Sequence, residues 1–316
     1  MQLIDTYNNS YQLNKEIKMT NDFKKLLLKK NKILIFGRYG QLGVTFHQHL
    51  IKNPNVLQLS SKEVNFLNPN QIRRVINDFK PKYIINTAAY TDVDAAESNT
   101  KIANQINCDA VKVLAESSKI NNSTLIHFST DYVFDGKNNK KYKSSDVPNP
   151  SNEYGRSKFE GEKAIIESGC EFFIFRISWL VSEFGNNFIK SILHKMKSST
   201  LIPVVNDQIG SPISSNLVCQ MVIKILLKNI KTKKIFHLST KGEASWYDVA
   251  IYVSQIVNSY KNVEIVPIKS SEYPAKAYRP KNSLFDLSET EKITGVSLPF
   301  WKDEIKPIIE RINLNC

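Results

Sequence analysis

The heptapeptide Gly37-Arg38-Tyr39-Gly40-Gln41-Leu42-Gly43 limits what this chain can fold into more than any other stretch. It follows the apolar run Ile33-Leu34-Ile35-Phe36, which reads as a buried strand, and precedes Val44 to Ile51, which reads as a helix. Strand, glycine turn and helix are the context a dinucleotide fingerprint needs. Glycines spaced G-x-x-G-x-x-G allow a tight turn, close approach of backbone to a pyrophosphate, and close packing of helix on strand. The helix N-terminus then holds the phosphate charge. A bare glycine loop is also what an ordinary turn looks like, so the rest of the chain has to support the reading.

It does so first through its rhythm. From Lys32 onward, strand candidates at 32–36, 55–59, 82–86, 123–129 and 172–177 alternate with helix candidates near 41–52, 69–79, 100–119 and 152–168. That spacing is the mark of βαβ crossovers and a parallel sheet. After Ser178 the pattern loosens: a helix near 186–197, the run Leu201 to Val205, a helix near 214–228, and a strand Lys234 to Leu238. The expected architecture is α/β, a doubly wound parallel sheet of Rossmann type with a smaller C-terminal substrate-binding lobe. Residues 32–178 form the dinucleotide domain, segments from about 200–240 return to it, and 179–316 supply mainly the lobe. Residues 1–31 are polar and Lys/Asn-rich and read as an extension outside this fold.

The second support is Tyr154-Gly155-Arg156-Ser157-Lys158, about 115 residues after the loop and 24 after Ser129-Thr130-Asp131-Tyr132. Tyrosine and lysine four apart share a helical face. A lysine ammonium beside a phenol is expected to lower the phenol pKa. The product is a proton donor suited to carbonyl reduction near neutral pH.

Other classes recede. The +13 net charge is spread along the 316 residues instead of forming a stripe, so no nucleic-acid partner is expected; an anionic substrate benefits from it. No uncharged apolar run reaches the roughly 18 residues a membrane helix needs, and Lys224 interrupts the best candidate, Val218 to Leu227. Four cysteines without metal or disulfide spacing suit a reducing cytoplasm. His47 and His49 sit two apart on a helix and do not face each other, so no metal is expected there. Asp94 with Glu97 three residues on reads as a capping box at a helix start.

Several short motifs in order carry a resemblance from Lys32 to about residue 312. Beyond the glycine loop they are Asn-Thr-Ala-Ala-Tyr-Thr-Asp-Val-Asp-Ala-Ala-Glu (86–97), Phe-Ser-Thr-Asp-Tyr-Val-Phe-Asp-Gly (128–136) and Tyr-Gly-Arg-Ser-Lys (154–158). Arg-Ile-Ser-Trp (176–179), Gly-Asn-Asn-Phe (185–188), Asp-Gln-Ile-Gly-Ser-Pro (207–212) and Arg-Pro-Lys-Asn-Ser (279–283) follow. The set resembles the dTDP-4-dehydrorhamnose reductase family, in the nucleotide-sugar branch of the extended short-chain dehydrogenases/reductases.

The resemblance implies NADPH-dependent reduction of the C4 ketone of a dTDP-linked 4-keto-6-deoxy sugar, with NADH also admissible as cofactor. It makes Thr130, Tyr154 and Lys158 the catalytic set: Tyr154 gives the proton, Thr130 polarises the ketone, and Lys158 holds the nicotinamide ribose. It adds Ser60, Ala88, Ala89 and Tyr90 to the loop residues Gly37, Arg38, Gly40, Gln41, Leu42 and Gly43 as cofactor contacts. Substrate contacts fall on Asp131, Tyr132, Val133, Trp179, Asn187, Gln208 and Arg279, and Asn107 matches a helix asparagine near the site.

Two departures stand out. NAD-specific folds usually end the second strand on a carboxylate; here that position is about Ser60, followed by Ser61 and Lys62, and Arg38 is free to meet a 2′-phosphate. Some members dimerise through magnesium held by a glutamate after the glycine loop; Thr45 stands there, so no metal is carried over, and a homodimer stays open. Two alternatives remain at this stage: a reductase or epimerase of another nucleotide-linked keto sugar, and a non-catalytic NADP-binding regulatory subunit.

Overall fold

The computed structural model describes residues 31–50, 54–228, 230–257 and 263–314. All but the last residue of the expected extension 1–31 therefore lie outside the described residues. The sheet follows from six short runs of apolar sequence: β1 (Ile33–Phe36), β2 (Val56–Leu59), β3 (Tyr83–Asn86), β4 (Thr124–Thr130), β5 (Glu171–Ile177) and a last strand, Lys234–Leu238. Every pairing is parallel, in the order Lys234–Leu238, β5, β4, β3, β1, β2. The chain thus starts mid-sheet and winds outward both ways, as a doubly wound fold does.

Burial of both sheet faces explains why these strands carry near-continuous apolar runs. Along β1, Ile33 and Ile35 enter one core and Leu34 and Phe36 the other. The first core is closed by Leu42, Phe46 and Leu50 of the helix Gln41–Leu50 and by the helix Ser215–Leu227. The second is closed by Ile72 and Ile76 of Pro69–Phe79, Val111, Val113, Leu114 and Ala115 of Ala110–Ile120, and Ile165 of Glu153–Ser168. A separate apolar cluster, from Trp179 to Ile312, unites Phe188–Ser198, Trp246–Val257 and Trp301–Leu314 into a lobe.

Local signals set the ends of the helix that matters most. Asn152 caps Glu153–Ser168 by accepting from Gly155 N at 2.7 Å, and Gly169 closes it in the left-handed conformation at φ 71°.

Two expectations change. The single helix over 100–119 becomes Thr100–Asn104, a π-turn Gln105–Asp109 and Ala110–Ile120. The buried Asn107 side chain there holds Tyr90 from both sides, accepting from its N at 2.9 Å and donating to its O at 3.0 Å. The capping box also fails: Asp92, not Asp94, caps Val93–Ala96 through Ala95 N, because Asp94 is drawn away by Arg279.

Candidate active site

The carboxyl ends of the parallel strands converge on one edge, and the expected cofactor residues gather there. Gly37 ends β1 at φ +90°, and a Cβ on it would lie 2.7 Å from Ala88 N, so only glycine lets the loop lie on the end of β3. A Cβ on Gly43 would lie 2.0 Å from Gly37 O, which fixes the helix Gln41–Leu50 against the loop. That helix has no acidic residue in its first turn, so its free N–H groups fit a dinucleotide phosphate. Thr45, at the position weighed for a metal, instead hydrogen-bonds Ser215 Oγ at 2.7 Å. His47 and His49 face different partners, Gln58 and Asn216.

The end of β2 corrects the sequence reading. Ser60 N and Oγ both donate to Glu63 Oε2, at 2.6 and 2.7 Å, so a carboxylate does stand there, brought back by a turn. Those bonds and the nearby Arg38 hold the Glu63 carboxyl below its ordinary pKa. The sequence signal was the Ser-x-x-Glu spacing, which a search for an acid at the strand end itself overlooks.

Thr130, Tyr154 and Lys158 come together across β4 and the capped helix. A Cβ on Gly155 would lie 2.1 Å from Tyr132 O, so the helix start is pressed against the segment after β4. The rings of Tyr132 and Tyr154 meet edge to face at 5.8 Å. Thr130 Oγ1 donates to Asp131 Oδ1 at 3.0 Å, while Asp131 Oδ2 is buried with no partner.

Electrostatics here differ from the sequence expectation. Burial, then the Asp131 charge, push the Tyr154 phenol up to about 12, with Thr130 working the other way. Lys158 does not lower it; its ammonium is itself disfavoured by burial, down to about 8 despite Glu162. Burial raises Asp131 to about 6 against hydrogen bonds from Ser283 and Thr130. Tyr154 is therefore a fully protonated acid at neutral pH. Lys158 Nζ donates to Phe128 O at 2.7 Å and lies 3.3 Å from His127 Nε2.

The expected substrate contacts divide. Arg279 grips Asp94 with Nη1 at 3.2 Å and Nη2 at 2.7 Å, and Asp94 also accepts from Lys276 N and Ala277 N. Asn187 caps Phe188–Ser198 and donates to Gln41 Oε1 at 3.2 Å, tying the lobe to the glycine loop. Gln208 is buried beside the Ile209–Gly210 strand. Two of the expected substrate contacts pack against apolar neighbours. Val133 is wholly buried with Phe134, Tyr142 and Phe285. Trp179, at φ 51°, stacks on Trp246 at 3.5 Å and fills the space over Gly210 as part of the lobe core. Asn86, His127, Asn152 and Ser283 escaped sequence reasoning; the first two show only as polar residues inside apolar strands.

The chain matches the family model described as RmlD substrate binding domain over residues 31–314. It is 38% identical to a dTDP-4-dehydrorhamnose reductase of Aggregatibacter actinomycetemcomitans over 287 residues, 88% of this chain and 98% of that relative. Among solved structures it is similar to the dTDP-4-dehydrorhamnose reductase of Bacillus anthracis str. Ames in complex with NADP: TM-score 0.83, 32% identity, 90% of this chain and 99% of that one. The Clostridium acetobutylicum ATCC 824 dTDP-4-dehydrorhamnose reductase gives TM-score 0.83 at 31% identity, covering 89% and 99%.

Proposed function

The chain belongs to the dTDP-4-dehydrorhamnose reductase family, and from that premise we propose that it uses NADPH to reduce the C4 ketone of dTDP-4-dehydro-β-L-rhamnose, giving dTDP-L-rhamnose in the last step of dTDP-rhamnose biosynthesis. The observation that carries the reading is the meeting of Tyr154, Thr130 and Asp131 at the same sheet edge as the glycine loop. Gly37 to Gly43, Ser60 and Ala88 to Tyr90 hold the cofactor, whose nicotinamide supplies the hydride when bound.

Tyr154 keeps its proton until negative charge develops on the ketone oxygen. An alkoxide is a stronger base than a phenolate, so transfer is downhill even from a phenol pushed up to about 12. Thr130 polarises the ketone by turning its hydroxyl proton from Asp131 Oδ1 to the ketone oxygen, and Asp131, with Oδ2 free of partners, accepts from a sugar hydroxyl. Arg279, braced by Asp94, and Lys281 meet the substrate pyrophosphate. Residues 32–178 then form the cofactor domain; the Lys234–Leu238 strand, paired with β5, supports the return of the 200–240 segment to it. The remainder of 179–316 holds the nucleotide sugar, and the cytoplasm is the compartment we assign.

The test couples the upstream dehydratase and epimerase to this protein and follows NADPH absorbance with product identification. Formation of dTDP-L-rhamnose is expected. Appearance of another 6-deoxy sugar instead sinks the substrate assignment, and no reduction of any keto sugar sinks the reductase.

A further inference from the structure

His127, midway along β4, lies against Lys158, and Asn86, at the end of β3, lies against His127. The sheet register pairs Asn86 of β3 with His127 of β4, and both are essentially fully buried. Their hydrogen bonds leave little choice of proton position. Asn86 Oδ1 accepts from Ala88 N at 3.1 Å, which turns its Nδ2 toward His127 Nδ1, 3.1 Å away. An amide NH₂ only donates, so Nδ1 must accept, and the neutral ring carries its proton on Nε2. That N–H points at Lys158 Nζ, 3.3 Å away. Nζ also donates to Phe128 O at 2.7 Å, so the geometry is satisfied when Nζ is an amine with a lone pair for His127.

Protonating Lys158 removes that lone pair. His127 must then accept at Nε2 and move its proton to Nδ1, and the Asn86 amide must reverse. A reversed amide sets its NH₂ against the Ala88 N–H, so two donors face each other without an acceptor. From this geometry we infer that Asn86 and His127 are positioning residues that disfavour the Lys158 ammonium, coupling its proton to the His127 tautomer. The groups that bear on Lys158 are His127 from β4 and Glu162 from its own helix. The burial that lowers Lys158 acts in the same direction, and His127 is held neutral by burial and by the lysine. Ala88 lies at the cofactor end of β3, so the same switch links the lysine proton to the backbone that faces the dinucleotide. The consequence for turnover rests on the reductase reading above; the switch itself does not.

The experiment is ¹⁵N NMR of the histidine rings in full-length protein between pH 6 and 9.5, with His127 assigned from its absence in His127→Gln. The expected result is an Nε2–H tautomer at high pH that passes to Nδ1–H, without the ring gaining charge, with a midpoint near the Lys158 value of about 8. Asn86→Asp keeps an acceptor for Ala88 N but demands Nδ1–H, so it should raise that midpoint, and the matching limb of the kcat pH profile, by roughly one to two units. If Asn86→Asp does not fold, His127→Gln, which offers Nζ a carbonyl oxygen, should raise the kcat limb likewise. A pH-invariant tautomer, or a limb unmoved in a folded variant, overturns the coupling. The tautomer is read without turnover, so its failure is distinct from failure of the reductase assignment.

Discussion

Arg176→Met tests how the helix carrying Tyr154 and Lys158 is held on the sheet. Arg176 lies on β5 and is 2% exposed; Glu162 lies on that helix and is fully buried. Nε meets Glu162 Oε1 at 3.0 Å and Nη2 meets Oε2 at 2.7 Å, a bidentate pair. Nη1 adds a bond to Ser144 O at 3.3 Å, and the guanidinium lies over the Phe134 ring at 5.1 Å. Methionine keeps the aliphatic stem but strands a buried carboxylate. Removing one partner of a buried pair costs about 3–5 kcal/mol. Against a total stability of about 5–15 kcal/mol this is a large fraction, and for a chain of 316 residues it should lower Tm by about 4–8 °C. Adding Glu162→Leu should restore most of the loss, since an apolar replacement of both partners is often neutral or better. Urea and thermal unfolding of the wild type, both single variants and the double variant measure the coupling. A single-variant loss below about 1 kcal/mol, or a double variant no better than Arg176→Met, would refute the argument.

Tyr154→Phe removes only the acid, so a folded variant should lose roughly 10²–10⁴-fold in kcat; near wild-type turnover rejects Tyr154 as donor. Glu63→Gln removes a carboxylate from the cofactor end of β2 and should lower the NADPH-to-NADH ratio of Kd values, in favour of NADPH, by roughly five-fold, read by fluorescence titration; an unchanged ratio shows that Glu63 does not sense the 2′-phosphate. Asp94→Ala frees Arg279 and should raise KM several-fold, with little added effect in Arg279→Ala; additive losses in the double variant deny that the pair acts as a unit. Asp131 has its folded pKa raised from 3.8 to about 6, so it costs stability once pH exceeds both values and costs none below them. Asp131→Asn should therefore gain on the wild type by up to about 3 kcal/mol between pH 4 and pH 7.5, and a pH-independent difference in urea unfolding contradicts the buried charge.

Much of the fold was legible because its strands are apolar on both faces and its helices carry explicit ends. Ile33 to Phe36, Gly37 and Asn152 each express locally what the structure does with them. What stayed hidden depends on residues far apart in the chain. Asp94 looks like a cap until Arg279, 185 residues later, takes its carboxylate. Glu63 looks like a loop residue until the turn after β2 carries it back to Ser60. The π-turn around Asn107 has no periodic signature, because one extra residue in a helix leaves both flanks looking regular.

The acid chemistry shows the same division with more at stake. Sequence spacing puts Tyr154 and Lys158 on one helical face and invites the inference that the cation acidifies the phenol. Spacing carries no information about solvent, and here the absence of solvent dominates. Burial disfavours the phenolate and the ammonium alike, so the phenol keeps its proton while the lysine is brought down to about 8, close to neutral pH. Asp131 adds to this by opposing the phenolate, and its own unpartnered oxygen is a buried cost that a packing role would not explain. A site built this way keeps its proton on Tyr154 until a stronger base than phenolate forms beside it. On the mechanism proposed above, Tyr154 is a reductase acid that stays loaded between turnovers, with His127 and Thr130 delivered by β4 and Asp131 by the turn after it to a helix 20-odd residues further along the chain.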